Sequence, residues 1–108
     1  MKMQSNRSRK GSHLGELESK AEEVAGLLAA MANARRLVVL CQLIDGERSV
    51  GELAGNAGLS PAALSQHLSK LRALGLVATR RDGQTIYYRL VSPEVRAVLQ
   101  TLYGLYCT

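Results

Sequence analysis

The sequence has no tryptophan and no phenylalanine, and its only aromatic residues are four tyrosines. A core must therefore be built from aliphatic side chains, and the 46% hydrophobic content of the 108 residues suffices for one modest domain. The two cysteines, Cys41 and Cys107, lie far apart, which excludes the disulfide framework of a secreted miniprotein; in a reducing cytosol both start as thiols. No apolar run approaches about 18 residues, and no charged start leads into an apolar stretch with a cleavage site, so a soluble cytoplasmic protein with no membrane partner is expected. Histidine is also scarce. A tight transition-metal site needs about three or four converging ligands, and the chain's only histidines and cysteines, His13, His67, Cys41 and Cys107, are scattered along it, so no metal and no other cofactor is expected. Paired carboxylates at a usable site, a Ser-His-Asp arrangement, a glycine-rich phosphate loop and a helical His-Glu-x-x-His are all missing, which argues against an enzyme.

Charge is unevenly placed. Lys2, Arg7, Arg9 and Lys10 precede the first acid, Glu16, and account for most of the net charge of +5. Residues 1–13 read as a flexible basic tail and 14–108 as one nearly neutral domain. Within that domain Lys70, Arg72, Arg80, Arg81 and Arg89 face only Asp82, whereas Glu16, Glu18, Glu22 and Glu23 face only Lys20. One end attracts phosphate and the other does not.

The basic end has a recognisable grammar. Ser60 is a good N-cap and Pro61 suits the first helical position, where a missing N–H costs nothing. Leu64, Leu68 and Leu71 form one apolar stripe, leaving Ala62, Gln66, Ser69, Lys70 and Ala73 on a lean, polar, basic face that a major groove admits. Gly75 ends the helix. Leu76 to Thr79 and Thr85 to Leu90 then read as two short strands around Arg80–Gln84, with Asp82-Gly83 as the hairpin signal. Upstream, Ser49-Val-Gly-Glu52 is a capping box opening a short helix to about Asn56, and Gly58 supplies the turn before Ser60. The predicted fold is mainly α with a small β-hairpin: a winged helix-turn-helix of about five helices plus a two-stranded wing. Base reading is assigned to Ala62, Ala63, Ser65, Gln66 and His67, and phosphate gripping to Ser60, Lys70, Arg80, Arg81 and Gln84.

The ends of the chain look like an assembly seam. Leu14, Leu17, Ala21, Val24, Leu28 and Met31 follow a 3-4-3-4-3 spacing, a coiled-coil-like stripe that wants another helix. Ser92-Pro93 opens the last helix, on which Val95, Val98, Leu102 and Leu105 form one stripe and Leu99, Tyr103 and Tyr106 widen it. A homodimer through both terminal helices is expected, placing two recognition helices about 34 Å apart on a pseudo-palindromic duplex operator. The alternative is a monomer with both stripes folded inward.

Ser65-Gln66-His67-Leu68, Leu71, Gly75-Leu76-Val77, the Arg80–Gly83 tip, Tyr88-Arg89-Leu90 and Met31–Leu37 together resemble the ArsR/SmtB family of bacterial winged-helix repressors, over Ala21–Cys107. Metal-sensing members carry Cys-x-Cys in the first helix of the helix-turn-helix or His and acidic ligands on the last helix; the matching stretches here, Val50–Ala54 and Pro93–Tyr106, have neither Cys nor His. Cys41 and Cys107 resemble instead the family's dithiol branch, which responds to persulfide and sulfide. By spacing alone Cys41, on the face of Leu37, Leu40 and Ile44, reads as a small buried hydrophobe. Cys107, at the frayed end of the last helix beside Tyr103 and Tyr106, reads as reachable. The resemblance implies that reactive sulfur species such as glutathione persulfide act as inducer, bridging Cys41 to Cys107 next to a pocket walled by Tyr103 and Tyr106, and that the bridged form releases DNA. Response to general oxidants, no thiol control, and a protein-interaction module with an idle wing are the rival readings.

Overall fold

Four helices of this chain begin with a side-chain oxygen placed on an otherwise orphaned backbone N–H. In the computed structural model, which describes residues 14–107, Asn33 opens α3 (Ala34–Gln42), Ser49 opens α4 (Val50–Ala57), Ser60 opens α5 (Pro61–Ala73) and Ser92 opens α6 (Pro93–Tyr106). The capping box at Ser49 is reciprocal: Glu52 N–H donates to Ser49 Oγ at 3.2 Å and Ser49 N–H donates to Glu52 Oε1 at 2.9 Å. That second bond holds the Glu52 carboxyl below its ordinary value. Both helices of the central pair end on a left-handed glycine. At Gly75 (φ +73), Leu76 N–H donates to Leu71 O and Gly75 N–H to Arg72 O; at Gly58 (φ +65), Leu59 N–H donates to Ala54 O and Gly58 N–H to Gly55 O.

The amino-terminal stripe is two helices, α1 (residues 14–19) and α2 (Ala21–Met31), rather than one. Ser19 Oγ donates to Glu16 O at 2.9 Å, occupying the carbonyl that a continuing helix would offer to Lys20, and Lys20 N–H turns to Leu17 O instead. The expected five helices therefore become six. The chain then turns by 90° between α2 and α3.

The wing is larger than the sequence announces. β2 (Val77–Asp82) and β3 (Thr85–Leu90) pair antiparallel from Val77↔Leu90 to Asp82↔Thr85, so the connection is only Gly83-Gln84, with glycine (φ +65) at the first central position as in type II′ turns. A third strand, β1 (Arg48–Ser49), adds to β3 through Arg48↔Tyr88 and Ser49↔Tyr87, giving the order β1-β3-β2.

One aliphatic core joins these elements. Val39, Leu40 and Leu43 from the α3 region, Leu53 of α4, Leu64 and Leu71 of α5 and Val95 of α6 are fully buried, with Tyr88 the only buried aromatic among the described residues. Burial of each such side chain is worth about 1.5–3 kcal/mol. The basic tail expected over residues 1–13, and His13 with it, lies outside the described residues. No single helix among the described residues is long and apolar enough to cross a membrane.

Candidate functional site

The core stripe of α5 decides which of its residues face outward. With Leu64, Leu68 and Leu71 buried, Ser60, Ala62, Ser65, Gln66, Ser69 and Lys70 are exposed along one convex face, while Ala63 and His67 sit half-buried on its flank. The side chains here are short or amide-bearing, as entry of a helix into a major groove requires. Arg81 and Gln84, at and beside the wing tip, are exposed as well, and so is Arg89.

Arg80 is differently placed from Arg81. Alternation along β2 sends the two to opposite faces, and Arg80 shares its face with its cross-strand neighbour Tyr87. Its guanidinium lies over the Tyr87 ring at 4.6 Å, and its Nε donates to both carboxylate oxygens of Glu47, at 2.9 and 3.0 Å. An arginine assigned by sequence to phosphate gripping is thus already paired within the protein. The partner was invisible in the sequence because Glu47 stands 33 positions away, in the loop that ends α3.

Cys41 and Cys107 line the same groove, of about 750 Å³, between α3 and α6. Its walls are Leu37, Ile44, Leu99, Leu102, Tyr103 and Tyr106, with Asp45 the single charged lining residue. Contrary to the buried small hydrophobe that spacing indicated, Cys41 is exposed: Leu40 and Leu43 take the core positions of α3 and its C-cap, and Cys41 turns to the groove. Cys107, exposed too, is the C-cap of α6, where its N–H donates to Tyr103 O at 2.8 Å. Although exposed at the surface, the Cys41 thiol is partly desolvated by the groove wall, which pushes it above its ordinary value, and the neighbouring Cys107 pushes it further. Cys107→Ser removes the second cause, so the pH midpoint of Cys41 alkylation is expected to move down; iodoacetamide labelling rates read by mass across pH 7 to 10 check this. An unchanged midpoint would mean that the thiols do not sense each other. Asp45 and Gln100, which complete the lining, carry no spacing signal that could have marked them in advance.

The residues assigned to assembly divide by burial. Leu14, Leu17, Val24 and Leu28 of α1 and α2 remain exposed, at 58%, 58%, 37% and 50%, and so does Ala21. On α6, Leu105 is 70% exposed and Tyr106 80%, while Val98 and Leu102 are half-buried. Leu99, read as part of an outer face, instead belongs to the core together with Val95.

Helix, glycine turn, lean-faced second helix and arginine-tipped ribbon define the winged helix-turn-helix class of DNA-binding regulators. Residues 33–79 match the description "Bacterial regulatory protein, arsR family". The transcriptional activator HlyU of Vibrio cholerae is 52% identical over 95 residues, covering 88% of each chain, and the structure of its reduced form superposes with a TM-score of 0.82 over 86% of this chain and 98% of that one. The biofilm growth-associated repressor of Xylella fastidiosa is 41% identical over 86% of this chain and 82% of its own. The homodimeric winged helix-turn-helix domain of Mb0332 from Mycobacterium bovis, 32% identical, superposes at 0.70 over 95% of this chain and 89% of that one. The protein belongs to the arsR family of bacterial regulators.

Proposed function

We propose that this protein is a cytoplasmic, homodimeric repressor of pseudo-palindromic operators whose affinity for duplex DNA falls when reactive sulfur species bridge Cys41 and Cys107. The observation that carries the thiol half of this reading is the presence of both thiols in one apolar groove between α3 and α6. Its support among relatives is that HlyU has a structure in a reduced form; for repression, the support is the Xylella relative, a repressor, whereas HlyU is an activator. For assembly, the support is the exposed apolar stripe of α1, α2 and α6 together with the homodimeric state of Mb0332.

The chemistry balances without a further oxidant. A protein thiolate attacks the terminal sulfur of a persulfide RSSH, taking that sulfur and releasing RSH. The other cysteine takes a sulfur from a second RSSH in the same way, and the two protein persulfides then condense to a trisulfide with loss of hydrogen sulfide. A trisulfide thus consumes two RSSH and yields two RSH and one hydrogen sulfide; a tetrasulfide consumes three RSSH. A direct disulfide needs Cα atoms about 4.4–6.8 Å apart, so inserted sulfur atoms widen the gap that can be closed without strain. Bridging α3 to α6 joins the core to the dimer seam, where a small rotation alters the separation of the two recognition helices.

The deciding experiment treats the reduced protein with glutathione persulfide, glutathione disulfide and peroxide in turn, reading intact mass and operator affinity. The expected result is an intramolecular gain of sulfur with persulfide alone, accompanied by a 10- to 100-fold loss of affinity, equivalent to about 1.4–2.8 kcal/mol. Cys41→Ser and Cys107→Ser should each keep reduced-state binding and lose the response. Equal release by peroxide would make the protein a general oxidant sensor, and release without any mass change would defeat thiol control.

For DNA reading, Gln66 is the residue whose amide can pair bidentately with adenine, whereas Arg81 at the wing meets phosphate. Gln66→Ala is expected to relax preference at one base pair by about 1–3 kcal/mol, and Arg81→Ala to weaken all duplexes alike and reduce the salt slope by about one. Titrations of matched and mismatched duplexes at several salt concentrations separate the two effects.

A further inference from the structure

Glu47 plays no part in the function described so far, yet it makes the one ion pair among the described residues. We propose that Glu47 sets the affinity of the wing for the DNA backbone by neutralising Arg80. The inference deepens the DNA-binding reading above and rests on it.

The geometry is specific. Arg80 is pinned from two sides, by the Glu47 carboxylate on Nε and by the face of Tyr87. Glu47 itself is placed by strand addition. It immediately precedes β1, whose pairing with β3 sets Ser49 opposite Tyr87 and directs the residues before it along the same sheet toward Arg89. Because both Glu47 contacts fall on Nε, neither terminal nitrogen of the guanidinium has a hydrogen-bond acceptor among the described residues. The side chain is half exposed, 49%, on the strand that leads to the wing tip. Arg80 is therefore a half-exposed arginine whose terminal nitrogens are unoccupied among the described residues and whose charge is cancelled by a carboxylate that also repels any phosphate drawing near. Two neighbouring arginines of one strand thus do different work: Arg81 contributes its full charge to the duplex, and Arg80 contributes only when Glu47 is removed.

The test compares wild type, Glu47→Gln, Arg80→Gln and the double variant, with binding to the operator and to an arbitrary duplex followed from about 50 to 200 mM salt. Each phosphate neutralised steepens the slope of log K against log salt by about 0.9, which amounts to roughly a threefold change in affinity over that range. Glu47→Gln is expected to tighten both duplexes several-fold at low salt and to steepen the slope by about one. Arg80→Gln alone leaves the Glu47 carboxylate unpaired and should weaken both duplexes at low salt without steepening the slope, and in the Glu47→Gln background it should return the slope to about the wild-type value. A purely positioning role for Glu47 would lower affinity at constant slope, and that result overturns the proposal. Should Glu47→Gln fold poorly, Glu47→Ser and the thermal midpoints of all four proteins keep the comparison valid, since the slope is read from folded protein. Failure of the wild type itself to bind either duplex would overturn the underlying DNA-binding reading, an outcome distinct from unchanged slopes.

Discussion

Leu105→Glu, and separately Leu17→Glu, is expected to turn the protein into a monomer and to cost at least a hundredfold in operator affinity. Leu14, Leu17, Leu28, Leu105 and Tyr106 are each half exposed or more, and they belong to the two ends of the chain. A folded monomer seldom leaves such a set of large apolar groups in water, and chains of this size gain needed stability from a second interface. In the proposed homodimer, closed through these groups, a glutamate at either position would bury an unpaired charge on association, a penalty of several kcal/mol. On DNA the consequence is multiplied, because two half-sites held together make the second contact intramolecular, and such linkage is worth about 10²–10⁴ in affinity. Light scattering should report half the wild-type mass, and affinity for an isolated half-site should stay within about threefold of wild type while full-operator binding collapses. A variant that remains dimeric with unchanged operator binding would place the interface elsewhere.

How far the sequence carried these conclusions depended on the range of the interaction involved. Ser60-Pro61, Ser92-Pro93, the Ser49–Glu52 box, Gly58 and Gly75 act within four residues of themselves, so each could be read directly, and each is found where it was expected, whereas the Asp82-Gly83 signal marks the hairpin one residue early, since Asp82 pairs with Thr85 and the connection is Gly83-Gln84. The burial of Leu64, Leu68 and Leu71 followed from period alone, and with it the outward face of α5. The features that escaped depend on contacts no local pattern reports. β1 is two polar residues whose only reason to be a strand is the free edge of β3. The break at Lys20 turns on one hydroxyl bond, Ser19 to Glu16, that overrides a regular heptad stripe. Cys41 reads as core by spacing because an apolar stripe does not say where its own edge lies; in the fold Leu40 is fully buried while Cys41, the next residue, lines the groove between α3 and α6. Glu47 and Arg80 meet only once the sheet has formed.

The largest loss of stability is expected from Leu64→Ala. Leu64 has no exposed surface, it lies on the inward stripe of the recognition helix, and neighbouring core positions on other elements, Leu40, Leu53 and Val95, are equally closed to solvent. Removing three carbon atoms from such a site forfeits their transfer energy and leaves a cavity that close-packed aliphatic neighbours fill only in part, a cost of about 2–5 kcal/mol. In a domain of this length each kcal/mol moves the thermal midpoint by about 4–8 °C, so a fall of at least about 8 °C is expected by calorimetry or circular dichroism. Ser65→Ala, one residue along and exposed, is the internal control: away from caps and core it should change stability by no more than about 0.5 kcal/mol. The two variants also separate folding from reading. Ser65→Ala can alter DNA contact without touching the midpoint, whereas Leu64→Ala should weaken every duplex only in proportion to the folded fraction, and should recover wild-type preference among sequences when cooled well below its lowered midpoint. Equal midpoints for the two would mean that α5 is not held by the core through this stripe, and the outward face assigned to Gln66 would lose its physical basis.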